Sequence, residues 1–114
     1  MAVTQFTEID GGASGGGVTA NLTSDDTTEW LKLPGAKSLG CAVQAIGTFG
    51  GGTISVEVSN NKTDAHALLQ VDGTAAPTLT SDGYIEVGTG ALWLRVALTG
   101  GSGGDVDVWI SGQS

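Results

Sequence analysis

Three segments of this chain alternate apolar and polar residues strictly, and no window of helical length keeps a 3.6-residue period. Ile54, Val56 and Val58 share one face while Ser55 and Glu57 share the other; Leu92, Leu94, Val96 and Leu98 oppose Trp93, Arg95 and Ala97; Val106, Val108 and Ile110 oppose Asp107 and Trp109. A repeat of two places side chains on alternate faces of a β-strand, so each segment reads as a strand with one face committed to a core. Glycine points the same way. It makes up 20 of 114 residues, more than double the usual ~7%, and it clusters between the apolar runs, where turns need positive φ. The runs bounded by Gly, Asn, Asp and Ser predict strands at Val18 to Thr23, Thr28 to Leu33, Leu39 to Gly47, Thr53 to Ser59, Ala67 to Val71, Tyr84 to Val87, Ala91 to Thr99 and Val106 to Ser111. About eight short strands suit an all-β, antiparallel β-sandwich of jelly-roll-like type. A chain of this length buries roughly two thirds of its unfolded surface, enough for a core without metal or disulfide.

Residues 18–114 form this domain, and residues 1–17 read differently. Val3, Phe6 and Ile9 sit among polar residues and are followed by Gly11-Gly12-Ala13-Ser14-Gly15-Gly16-Gly17, a flexible linker by composition. The decapeptide is therefore an arm that docks on its own domain or on a partner, with a frayed terminus as the plain alternative. Val3, Phe6 and Ile9 are its candidate partner-binding residues. Within the domain, residues 42–59 echo residues 94–111 at an offset of 52, each unit being strand, glycine loop, strand. The loops at Gly50 to Gly52 and Gly100 to Gly104 are expected to close two hairpins.

Twelve Asp and Glu against four Lys and Arg give a net charge of −8, which repels phosphate backbones and anionic lipid surfaces, so neither nucleic acid nor membrane is an expected partner. No apolar run approaches the ~20 residues that span a bilayer. Met1 to Glu8 has neither a basic n-region nor an apolar h-region, so the protein is expected to stay in the compartment that makes it. Cys41 is the single cysteine and has no disulfide partner within the chain.

The residues that carry chemistry elsewhere are sparse. His66 is the single histidine and sits in a loop by composition, Asn60-Asn61-Lys62-Thr63-Asp64-Ala65-His66, so it reads as solvated rather than as a metal ligand. Cys41 lies in an apolar run and reads as a buried thiol. Gly15 to Gly17 and Gly50 to Gly52 lack the Lys-Ser/Thr ending of a phosphate loop. Asp25, Asp26 and Glu29, and separately Asp105 with Asp107, form acidic groups without a calcium-loop pattern. No catalytic, metal or cofactor site is expected, and the chain is not expected to be an enzyme. Trp93 and Trp109 fall on faces opposite the aliphatic stripes, where a monomer prefers polar groups, so they are candidate oligomer-interface residues. Cover by loops or by the arm is the alternative.

Residues Val43-Gln44-Ala45-Ile46-Gly47-Thr48-Phe49-Gly50-Gly51-Gly52-Thr53-Ile54-Ser55-Val56-Glu57-Val58-Ser59-Asn60 resemble a V-x-G-T-F-G-G-G/A-T-V-x-x-E-x-S-N-D-G pattern of small tailed-phage structural proteins. Trp93-Leu94-Arg95-Val96-Ala97-Leu98-Thr99-Gly100-Gly101 resembles the L-R-V-x-x-x-G strand and glycine turn that follow in those proteins. The resemblance covers roughly residues 39–111 and departs after Asn60, where Asn61-Lys62-Thr63-Asp64 stands in place of Asp-Gly. It implies a bacteriophage virion protein, a head decoration or cement protein made in the bacterial host cytoplasm. Such a protein sits as a homotrimer on the outer capsid surface, binds the major capsid protein and bridges capsomers, and no catalytic residues come with it. The alternative is a carbohydrate-binding or adhesion module of a phage head or tail fibre, with Trp30, Trp93 or Trp109 as aromatic platforms.

Overall fold

The computed structural model describes residues 2–8, 17–32, 40–68, 77–87 and 93–113. Ile9, residues 11–16 of the glycine-rich stretch and the ends of four expected strands (Leu33, Leu39, residues 69–71 and residues 91–92) lie outside them. The described residues are all β, with eleven strands and no helix: β1 (Ala2–Thr4), β2 (Thr7–Glu8), β3 (Gly17–Thr23), β4 (Asp26–Thr28), β5 (Leu31–Lys32), β6 (Gly40–Thr48), β7 (Thr53–Ser59), β8 (His66–Ala67), β9 (Gly83–Val87), β10 (Trp93–Thr99) and β11 (Asp105–Gln113). They form a two-sheet sandwich. Sheet A runs β1-β4-β10-β7-β8, with β5 also on β10, and sheet B runs β2-β3-β11-β6-β9.

The alternation in the sequence decides which face each strand buries. Leu22, Val43, Ile54, Leu94, Val96, Leu98, Val106 and Val108 are fully buried between the sheets. Each fully buried aliphatic of this size contributes about 1.5–3 kcal/mol relative to exposure. The polar alternates Glu57, Arg95 and Asp107 stay on the outer faces, half-buried or exposed.

The two glycine loops do not close hairpins. Strand β6 lies in sheet B and β7 in sheet A, and β10 lies in sheet A and β11 in sheet B, so each loop is an arch that crosses the core. The repeated units pair with each other instead: β6 runs antiparallel to β11, with Thr48 opposite Asp105, and β7 runs antiparallel to β10, with Thr53 opposite Thr99. A third arch, β3 to β4, stacks on the other side through β3 on β11 and β4 on β10. Positive φ serves an arch as well as a hairpin, which is why glycine content alone could not separate the two.

The arches touch through backbone amides, which find both backbone and side-chain acceptors. The amide of Ser102 donates to the Gly50 carbonyl at 3.0 Å, that of Gly104 to Ser24 Oγ at 2.8 Å, and that of Gly100 to Asp25 Oδ1 at 3.1 Å. Gly50 and Gly101 both hold positive φ, and a Cβ on Gly101 would run into the Gly50 carbonyl oxygen.

Strands β4 and β5 are two pieces of one strand beside β10. Ala97 pairs with Thr27 but Leu94 pairs with Leu31, a register that admits one extra residue and so marks a bulge. At the bulge the Thr28 hydroxyl accepts the buried Val96 amide at 3.0 Å and donates to the Glu29 carbonyl at 2.9 Å. A buried amide without an acceptor would cost about 1–3 kcal/mol, so this hydroxyl holds the ladder together where the backbone cannot.

The N-terminal arm docks on its own domain. β1 pairs parallel with β4 at the edge of sheet A, and β2 pairs antiparallel with β3 at the edge of sheet B. Glu29 clamps the crossing between them: its amide donates to the Thr4 carbonyl at 2.9 Å, and its Oε2 accepts the Phe6 amide at 2.7 Å. Phe6 packs against the core between the two edges.

Candidate binding surfaces

The outer face of sheet A is satisfied by its own charges. Arg95 stands opposite Glu57 across the β10 to β7 pair, and Nε donates to Glu57 Oε1 at 2.8 Å. Its guanidinium also lies 4.5 Å from the centre of the Trp30 ring, while the Lys62 ammonium lies 4.5 Å from the Trp93 ring. Two cations thus cover two tryptophans. Contacts of this kind contribute about 0.5–1 kcal/mol each on a surface, and they explain how large aromatics tolerate an outward position. Lys62 reaches Trp93 from a tight turn in which Ser59 Oγ accepts the amides of Asn61 and Lys62, and Asn61 Oδ1 accepts those of Thr63 and Asp64.

The outer face of sheet B is different. Gln44 pairs with Trp109 on one side and with Tyr84 on the other, which lines up three outward side chains across three adjacent strands. Trp109 is half-buried, and Tyr84 is 62% exposed on the edge strand β9. Ala42, Gln44, Tyr84, Trp109 and Ser111 line a hollow of about 400 Å³. Ile46, 42% exposed, lies one step further along β6. The sequence reading missed Tyr84 and Gln44. The signal was present as the alternation of Tyr84 and Glu86 against Ile85 and Val87, but only the pairing shows that Tyr84 and Trp109 flank one residue.

The acidic residues act singly as acceptors. Asp25 takes the Gly100 amide, Asp26 Oδ2 takes the amide and hydroxyl of Thr23 at 3.0 and 2.6 Å, and Glu29 takes Phe6. Asn21 Nδ2 donates to Asp105 Oδ1 at 2.6 Å and to Asp107 Oδ1 at 2.9 Å, so a neutral amide bridges that pair. Among the described residues no three His, Cys, Asp or Glu side chains gather as a metal site. His66 is exposed on β8 at the edge of sheet A, while Cys41 lies on β6 in sheet B, so the fold sets them on different sheets. A second hollow of about 530 Å³ at the arch end is lined by Gly47, Phe49, Gly50, Thr80, Ser81 and Asp82, and there Asp82 Oδ1 accepts the Gly47 amide at 3.0 Å.

Of the arm residues expected to bind a partner, Val3 is 58% exposed on β1, Phe6 is partly buried against the chain's own core, and Ile9 lies outside the described residues. Trp93 has its ring under Lys62, whereas Trp109 faces the sheet B hollow. No protein-family model matches the chain, and no curated protein matches it. The resemblance of residues 39–111 to tailed-phage structural proteins therefore rests on the residues that carry it.

Proposed function

We propose that this chain is a bacteriophage head decoration or cement protein, which binds the major capsid protein on the outer surface of the shell and stabilises it by bridging capsomers. One observation carries the reading: residues from separate parts of the phage-like pattern meet in space. Glu57 of the first segment pairs with Arg95 of the second at 2.8 Å, and the Gly50 to Gly52 loop packs on the Gly100 to Gly104 loop through the Ser102 amide. That the two parts of the pattern form one arch pair supports reading them as one structural unit. The strand sets β3-β11-β6-β9 and β4-β10-β7-β8, between which the chain changes sheet at every step except β7 to β8, support the jelly-roll expectation.

The role in this reading is mechanical and non-catalytic. A subunit that binds only the assembled shell stabilises it by mass action, and a homotrimer multiplies modest single contacts through avidity. Strand β1, with the exposed Val3, ends sheet A among the described residues and supplies a contact to the capsid, since such an edge accepts a further strand. The acidic balance keeps the outward surface soluble.

Cryo-electron microscopy of particles assembled with and without the chain tests the reading. Trimeric density on the outer capsid surface, with earlier thermal rupture of particles that lack the chain, is the expected result; particles that never acquire the density overturn it. Deleting residues 1–17 would confound binding with folding, because β1, β2 and Phe6 belong to the sandwich. Val3→Asp is the cleaner variant, expected to lower capsid occupancy while leaving the fold intact. A sedimentation pattern of monomer alone at micromolar concentration contradicts the trimer.

A further inference from the structure

We propose that the hollow on the outer face of sheet B is a saccharide-binding slot, with Tyr84 and Trp109 as its two walls and Gln44 between them, and that its ligand is a neutral hexose or N-acetylhexosamine unit of a glycan.

The spacing comes from the sheet. Gln44 is the direct partner of both Tyr84 and Trp109, so the two aromatics stand two strands apart, about 10 Å between backbones at the usual 4.7–4.9 Å per strand. Gln44 stands in the row between them, so a sugar ring rests over Gln44 with one aromatic side chain on either side. Beside this row, Ala42 pairs with Ser111, and the small size of both residues hollows the sheet face. The resulting 400 Å³ lies within the roughly 300–1,000 Å³ of small-ligand sites.

The chemistry of the lining selects the ligand. An aromatic face packs against the C–H face of a pyranose, which is apolar, while the hydroxyls around the ring rim need both donors and acceptors. Gln44 supplies both through one amide, and Ser111 adds a hydroxyl. Among the described residues no lysine or arginine lines the hollow. Glu86 on β9 stands opposite Ala42, and Asp107 on β11 stands between its partners Ile46 and Asn21 in the row on the other side, both carboxylates exposed. On a chain of net charge −8 these carboxylates repel phosphate, sulfate and sialic acid, and they accept from hydroxyls at the rim. The tryptophans of sheet A do not compete for this role, since Arg95 and Lys62 occupy their rings. Trp109, with no cation over its ring among the described residues, is the tryptophan this slot uses.

The test uses the purified full-length chain on an array of neutral hexose and N-acetylhexosamine oligosaccharides, followed by titration of a retained glycan with tryptophan fluorescence as readout. Retention of at least one neutral glycan, with a change in tryptophan emission on titration, is expected. Tyr84→Ala removes an exposed ring and is expected to weaken binding about tenfold with an unchanged thermal midpoint. Gln44→Ala acts in the same direction. Trp93→Phe, on the opposite sheet, leaves affinity unchanged. The proposal is overturned if no neutral glycan is retained, if Tyr84→Ala binds like the parent, or if the slot takes choline in a salt-sensitive manner and no sugar. It is overturned equally if the Tyr84→Ala effect tracks a change in oligomeric state, which would make the face a contact between copies. Because the assay contains no particles, its failure leaves the capsid reading standing, and absence from the capsid leaves the slot standing.

Discussion

Thr28 and Arg95 show how single side chains hold positions that the backbone leaves open. At the β4 to β5 bulge the ladder loses its register, and the Thr28 hydroxyl stands in for a carbonyl to the buried Val96 amide. Thr28→Val keeps the shape and removes the acceptor, so we expect a loss of about 1–3 kcal/mol in denaturant unfolding; a variant as stable as the parent would contradict the account. Arg95 joins Glu57 and the Trp30 ring. Arg95→Met retains the aliphatic stem and deletes both contacts, and a cost of roughly 1–2 kcal/mol follows from an ion pair plus a cation–π contact. The alternation made Arg95 and Glu57 legible as outward residues. Their pairing was not legible, because it depends on β7 meeting β10 rather than on either strand alone.

Among the elements, the arches decide the architecture. Three links, β3 to β4, β6 to β7 and β10 to β11, cross the core at one end and stack, and Gly50 and Gly101 each lie against the backbone of the neighbouring arch. Gly101 and Gly103 separate the two uses of glycine. Both hold positive φ, but a Cβ on Gly101 strikes the Gly50 carbonyl while one on Gly103 finds nothing within 4 Å. Gly103→Ala is expected to cost about 1–2 kcal/mol, the conformational penalty alone, and Gly101→Ala distinctly more. Thermal midpoints of the two variants check the ranking, and equal losses would show that the loops do not pack as described. The sequence marked both loops as turns with positive φ. It assigned them to hairpins because local conformational demand is the same in a hairpin and an arch.

At the scale of the whole molecule, the arm closes the sandwich. Residues 2–8 cross from the edge of sheet A to the edge of sheet B, with Phe6 packed on the core and Glu29 clamping the crossing. Phe6→Ala is expected to lower stability by about 1–2 kcal/mol, part of the value of a full apolar side chain, as measured by chemical denaturation of the isolated protein. An unchanged unfolding midpoint would return the arm to the role of a free partner-binding segment. The consequence for the proposed shell contact is that Val3 and the β1 edge, rather than Phe6, face outward.

By itself the sequence determined the all-β class, the core stripes of β7, β10 and β11 and the outward placement of Trp93 and Trp109. These follow from a period of two and from glycine, both local properties of the chain. Tertiary structure alone decided that the glycine loops are arches, that the arm belongs to its own domain, and that Tyr84, Gln44 and Trp109 form one row. Each of those outcomes depends on which distant strands become neighbours. Residues 44, 84 and 109 meet only because β6 pairs with β9 and β11 together, a long-range choice set by burying every apolar stripe at once.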